Sequence, residues 1–383
     1  MSTLSKTIER IKQGVERGLH PGAQVAVWHA GAWVARHAVG RARPEGYGDT
    51  AMDLSTRTLW MSAGKPIVAV ALARQIEAGA VELDDPVVEY LPEFGVNGKE
   101  AVTLGDVLTH RGGFRSVVSR YPEETWDQAV AAACAARLET GWEVGRTAGY
   151  HPHSGWAVLG RVLEVCSGQP LREHLCDTVL EPWGMRRTCV GMLPETYDRV
   201  GRELSVMVDT ARGGEHAKPV GCHERAWATG QRPGGNVYGP AEELVRFYAG
   251  LLAGGELDGV RLLRPETVAR FTARVRRDTE DRTFRAVMDW GLGIMVNNRR
   301  HDAANAERHP AERGGTPYGF GPHASDDAYG HGGNQSSMGF ADPRHDLAVA
   351  VVFNGMPGES AHQSRMHAVL GAIYEDLGLA PAE

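Results

Sequence analysis

Ser62-Ala63-Gly64-Lys65 sets a hydroxyl and an amine three residues apart, just ahead of the apolar run 66–73. At the start of a helix, residues at that spacing share one face. The free N–H groups and dipole of a helix N-terminus favour a developing negative charge there. Together these features describe an activated serine, the first requirement of acyl transfer. Leu59-Trp60-Met61 brings the serine in from a buried segment, and Pro66 is tolerated only in a first helical turn, so Ser62 lies close to the helix start. The competing reading is an N-capping Ser62 with an exposed Lys65, and other segments decide between the two.

A serine nucleophile also needs a base and an oxyanion hole. Gly149-Tyr150-His151-Pro152 precedes a helical run and can carry a tyrosine into a cleft, where a nearby cation would make the phenol a useful base. Gly330-His331-Gly332-Gly333-Asn334 leads into a strand, and its glycines let backbone N–H groups approach a ligand closely. No Gly-x-Ser-x-Gly elbow surrounds any serine, which disfavours an α/β-hydrolase.

With these segments in view, the chain resembles the serine β-lactamase and penicillin-recognising family, in its class C and esterase/transacylase branch. The segment 102–114, containing Leu108-Thr109-His110-Arg111-Gly112-Gly113, resembles that branch's "LLTHTSGL". Glu181-Pro182-Trp183-Gly184-Met185 resembles its "EPLGM", and Gly330-His331-Gly332-Gly333 with Gly339-Phe340-Ala341-Asp342-Pro343 resembles its "HxG" segment. Gly234-Gly235 followed by Pro240-Ala241-Glu242-Glu243-Leu244 resembles a further shared stretch, and the motifs keep their order along essentially the whole chain.

The resemblance implies Ser62 as acylated nucleophile, with Lys65 and Tyr150 sharing the proton transfers, and which of the two is the base stays open. It implies an oxyanion hole of the Ser62 and Asn334 N–H groups, with His331, Gly332 and Gly333 in place of the family's Lys-Thr-Gly. Two departures stand out. Pro152 occupies the asparagine position of Tyr-x-Asn, and His331 replaces a lysine that holds carboxylate. Both argue against efficient β-lactam handling, and neither disables acylation of an ester.

The elements expected to hold these residues follow from periodicity. The N-terminal helix ends near Arg17-Gly18, and a hairpin joins 23–28 to 33–40 through His29-Ala30-Gly31-Ala32. Helices are expected over 104–109, 126–137 and 156–166, strands over 290–296, 337–341 and 347–353, and a closing helix over 362–377. The expectation is an α+β, β-lactamase/transpeptidase-like domain spanning 1–383, an antiparallel sheet flanked by helices (about 1–80 and 220–383) beside a mostly helical part (81–219), with the active site in the cleft between. Loops near 115–125, 205–232 and 297–330 are expected to shape the pocket.

Composition bounds the rest. The 383 residues are 42% hydrophobic and 23% charged, with net charge −7 and scattered basic residues, which excludes a nucleic-acid surface. Arg274 to Arg277 reads as a solvated helix end, and His301, His309 and His323 as solvated loop residues. His151 and His153 lack a third ligand, so no metal and no cofactor is expected. Five scattered cysteines, no signal-like segment and no spanning apolar stretch point to the cytoplasm, away from any membrane. The partners expected are a small-molecule acyl donor and an amine or alcohol acceptor. The reading is a serine esterase or transacylase in natural-product biosynthesis, with a β-lactamase or DD-peptidase-type hydrolase as one alternative and a non-catalytic binding module as another.

Overall fold

The structure, a computed structural model, describes residues 4–115, 117, 120–213, 217–308 and 317–381. Helix α1 (Ser5–Glu16) leads into the hairpin of β1 (Gly22–His29) and β2 (Ala32–Arg43), turned by Ala30 and Gly31 at φ 50° and 76°. After β3 (Thr50–Ala51) come α2 (Lys65–Glu77), α3 (Leu104–Leu108), α4 (Trp126–Ala135), α5 (Ser154–Ser167) and α6 (Ala241–Leu252). The chain then returns to sheet through β4 (Arg276–Asp281), β5 (Ala286–Trp290), β6 (Met295–Val296), β7 (Tyr329–Gly333), β8 (Ser337–Asp342) and β9 (Leu347–Phe353), and closes with α7 (Glu359–Asp376).

These nine strands form one sheet in the order β4-β5-β6-β7-β8-β9-β1-β2-β3, antiparallel throughout, which makes the fold α+β. The uninterrupted apolar run of β9 reflects burial on both faces. Val349, Val351 and Phe353 join a core with Ile11 of α1 and Met366, Val369 and Ile373 of α7. The alternate residues Ala348, Ala350 and Val352 join the opposite core with Leu244 and Val245 of α6. That second core is built around α2, whose residues 65–73 are all buried. A helix apolar on every side belongs in an interior, and each of Ile67, Val68 and Leu72 contributes roughly 1.5–3 kcal/mol by burial. Leu104 and Leu108 of α3 and Trp156 and Leu159 of α5 enclose α2 from the helical side.

Two expectations fail here. The run 290–296 is not one strand: it reverses between β5 and β6, with the Gly291 N–H donating to the Ile294 carbonyl at 2.8 Å. Gly293, at φ 71°, donates to the Leu108 carbonyl at 3.0 Å, and a Cβ there would stand 2.8 Å from the Ala69 Cβ. Apolar residues around a tight turn have the composition of a strand when the turn itself packs into the core. Arg274 to Arg277 is likewise no solvated helix end. Arg276 begins β4, is fully buried and pairs with buried Asp281 at 3.0 Å.

Candidate active site

Ser62 sits on a 3-10 turn, Met61–Gly64, directly ahead of α2. The turn is clamped from before: the Trp60 N–H donates to Val237 O at 2.8 Å, and the buried Trp60 indole donates to Gly239 O at 2.8 Å. Met61 holds φ 52°, a strained conformation for a side chain of its size, immediately before the serine. Gly64 is required by space, since a Cβ there would meet Val237 Cγ2 at 2.3 Å.

The end of β7 is pressed against the same turn. A Cβ on Gly333 would stand 2.2 Å from Trp60 O and 3.1 Å from the Met61 Cβ, while the Ser337 hydroxyl donates to Trp60 O at 2.5 Å. The N–H groups of Ser62 and Asn334 therefore flank one junction, and among the described residues neither donates to a protein acceptor. Gly333→Ala is expected to force the two backbones apart and slow acylation roughly 100-fold, the effect of about 1 Å of misplacement. The pre-steady-state burst with a p-nitrophenyl ester measures it, and an unchanged burst rate would show that the junction is not needed.

Lys65 is completely buried, and its Nζ lies 2.7 Å from Ser62 Oγ and donates to the Gly234 carbonyl. Burial drives the amine well below the ordinary lysine range, with the Arg232 charge adding to the effect. The Nζ stands 5.3 Å from the Tyr150 ring centroid and 5.7 Å from that of Trp156. Lys65 is thus an aromatic-walled amine directed at the serine, which excludes the reading of an exposed lysine behind a capping serine.

Tyr150 is 7% exposed, and its hydroxyl faces the Ser62 side chain without closing a full hydrogen bond. Burial raises its phenol above the usual value, and Asp281 adds to that while Ser62 opposes it. The lowered phenol expected of a cation neighbour does not arise, because burial outweighs every other influence on this hydroxyl.

The backbone of Tyr150 is held with unusual completeness. Its N–H donates to Asp281 Oδ1 at 3.0 Å, and its carbonyl accepts from Thr283 Oγ1 at 2.9 Å. Asp281 also accepts from the N–H groups of Thr283 and Phe284, and Arg276 ties it to the Thr109 carbonyl at 3.1 Å. His110, buried and at φ 60°, accepts from Gly149 N–H through its carbonyl at 3.0 Å and from His151 N–H through Nδ1 at 3.2 Å. His151 in turn accepts from the Phe114 N–H at 3.2 Å, so it is a buried structural ring and not half of a metal pair.

His331 lies within β7, the strand whose end turns into β8 as expected, and is buried. Its Nδ1 stands 2.7 Å from the Gly332 carbonyl, which can only accept, so the proton resides on Nδ1. Burial, then the Lys65 charge, lowers it to about 3, so this position supplies a neutral imidazole where the family's lysine would supply a cation.

These groups face a cavity of about 510 Å³ lined mostly by apolar and aromatic residues, including Met61, Trp227, Phe284 and Tyr318, with Ser62, Tyr150, His331, Gly332 and Asn334 in its wall. Val220, Trp227 and Arg232 come from the loops near 205–232 and Tyr318 from 297–330, as expected. The segment near 115–125 contributes Tyr121, which underlies Arg232.

Asp278, Asp289 and His301 cluster elsewhere with ligand-like spacing. Arg274 and Arg300 already hold Asp289 Oδ2 at 2.8 Å each, and Arg300 also pairs with Asp278. Two guanidiniums occupy the place a cation would take. His301 is accordingly buried against Asp289, against the expectation of a solvated ring. His323 is partly buried, and His309 falls outside the described residues.

Sequence reasoning missed the Arg276–Asp281 pair, because a buried ion pair in a β-hairpin carries no local signal. It also missed Arg232, an isolated arginine in a Gly- and Pro-rich loop.

A serine heading a buried helix, with an amine, a phenol and a strand end around it in a cleft beside an antiparallel sheet, defines a serine hydrolase of the β-lactamase fold. Residues 8–372 match the Beta-lactamase family, and the chain belongs to it. It is 25% identical over 315 residues to the Esterase/beta-lactamase LipL of Mycobacterium tuberculosis, covering 76% of this chain and 68% of that protein. The chain thus spans about two thirds of that relative's length. In fold it is similar to a family VIII carboxylesterase (TM-score 0.77, 24% identity, 97% of each chain). It is also similar in fold to EstCE1, a hydrolase with promiscuous acyltransferase activity (TM-score 0.75, 20% identity, 97% of this chain and 98% of that one). Among the described residues no helix is long and apolar enough to cross a membrane.

Proposed function

We propose that this chain is an esterase or transacylase that works through an acyl-enzyme on Ser62. The observation that carries this reading is the buried Lys65 amine 2.7 Å from Ser62 Oγ at the wall of the cavity. In the first half-reaction the Ser62 proton passes to the neutral Lys65 amine as Oγ bonds to the substrate carbonyl carbon. The Ser62 and Asn334 N–H groups receive the oxyanion. Collapse breaks the bond to the leaving alkoxide, which takes a proton from Lys65 directly or through Tyr150. In the second half-reaction water, an alcohol or an amine attacks the ester carbon, gives up its proton by the same route, and Ser62 leaves protonated.

Esters or activated amides suit the site better than β-lactams. Pro152 offers no side-chain amide to hold the acyl amide of a β-lactam, and at the position of the family's lysine His331 is neutral. The likeness to an esterase and to a hydrolase with acyltransferase activity supports the reading. A role in natural-product assembly is part of the same proposal, and a cytoplasmic location accords with the five unpaired cysteines.

Intact mass after incubation with a p-nitrophenyl short-chain ester tests the proposal, with and without an added amine and beside Ser62→Ala. An adduct on the wild type alone is expected. Faster discharge by amine marks a transacylase, and discharge by water alone an esterase. Turnover of a chromogenic cephalosporin at a comparable rate would move the assignment to a β-lactamase. No adduct from either reagent would leave a binding module.

A further inference from the structure

Apart from its two histidines, the cavity is lined by one charged side chain among the described residues, that of Arg232. Its guanidinium lies 4.2 Å from the Tyr121 ring centroid and 6.0 Å from that of Trp227, and Trp227 shares the cavity wall. The platform is itself fixed. The Asn236 side-chain amide donates to the Tyr121 hydroxyl at 3.0 Å, to Trp227 O at 3.0 Å and to Gly230 O at 2.7 Å, while the Gly235 and Asn236 N–H groups return to Arg232 O.

The counter-charge, Glu124, stands 3.7 Å away and lines a small adjoining hollow, not the cavity. The guanidinium is thus stacked, 15% exposed, balanced from behind and presented to substrate space. Arginine in that setting offers a planar fork for a carboxylate, and an apolar cavity strengthens the attraction. With His331 neutral, this is where an anion would be received.

We propose that Arg232 is a specificity-determining residue that selects substrates bearing a carboxylate, carried either on the acyl chain or on the acceptor. The substrate class is then an apolar ester or amide with one anionic end. The proposal rests on the acyl-transfer reading for its reaction but not for its binding.

The experiment has two kinetic arms and one binding arm. In the acyl arm, p-nitrophenyl hydrogen glutarate is compared with p-nitrophenyl valerate. In the acceptor arm, alanine is compared with alaninamide as the group that discharges the acetyl-enzyme. Wild type is expected to favour the anionic member roughly tenfold or more in one arm, Arg232→Gln to bring that ratio near one, and Arg232→Lys to keep part of it. The arm that responds tells which half of the substrate carries the carboxylate.

Calorimetric titration of both anionic probes into Ser62→Ala, with and without Arg232→Gln, reads recognition without turnover. A ratio near one for wild type in both kinetic arms, equal losses on anionic and neutral members, or binding indifferent to Arg232→Gln would each overturn the proposal. Failure of every ester to acylate Ser62 would instead count against the acyl-transfer reading, and the titration would still decide Arg232.

Discussion

Lys65→Met is expected to slow acylation of Ser62 by about 10³–10⁴-fold, near the upper end of what a positioned proton acceptor contributes, without lowering thermal stability. The rate follows from geometry. Methionine fills the same aromatic-walled channel beside Tyr150 and Trp156 but takes no proton from a hydroxyl that now has a base at 2.7 Å. The stability follows from burial. An amine with no exposure is held there against its hydration, and an apolar isostere removes that cost, offset by the lost donor to the Gly234 carbonyl.

The sign of the pH dependence is fixed by the direction of the shift. Lys65 is depressed in the folded protein, so between its lowered value and the ordinary lysine range the unfolded chain binds the extra proton. Wild-type stability therefore rises with pH across that window, and any excess stability of Lys65→Met shrinks as the pH climbs. Catalysis carries the same ionisation, with kcat/KM climbing along an acid limb that lies well below the usual lysine range. Rapid-quench acylation rates and pH-resolved melting check both halves. A variant that keeps its burst rate would pass the role of base to Tyr150, whose raised phenol argues against it.

Asp281→Ala is expected to cost about 3–5 kcal/mol, the penalty for leaving a buried partner charge unpaired. Arg276, fully buried, would face only the Thr109 and Met288 carbonyls. The same change removes the acceptor for the N–H groups of Tyr150, Thr283 and Phe284, so the tyrosine loop loses its anchor. Stability and function separate in the double variant. Asp281→Ala with Arg276→Met, which replaces the charge by an apolar chain, should regain much of the stability while kcat stays low, because Tyr150 is still unanchored. Urea unfolding and steady-state kinetics on the single and double variants measure the two effects. Recovery of kcat along with stability would show that the pair serves the fold alone.

Much of this protein was legible in its residues. Ser62, Lys65, Pro66 and the apolar run after them specify a nucleophile at the head of a buried helix, because local spacing and composition alone determine which side chains share a helical face and whether that helix is interior. The hairpin 23–40 and the run 347–353 were equally plain, since period-two or continuous apolar patterns are properties of the segment itself. Their pairing, Ala23 opposite Phe353, was not, because it joins the two ends of the chain.

What only the tertiary structure decided is electrostatic and long-range. A basic cluster at 274–277 reads as solvated until Asp281 and the Thr109 carbonyl are seen to receive Arg276 in the interior. The protonation of Lys65, Tyr150 and His331 depends on how completely each is buried and on which charges burial brings near. No stretch of sequence records that environment, since desolvation and the distance between charges are set by elements that fold together from far apart along the chain.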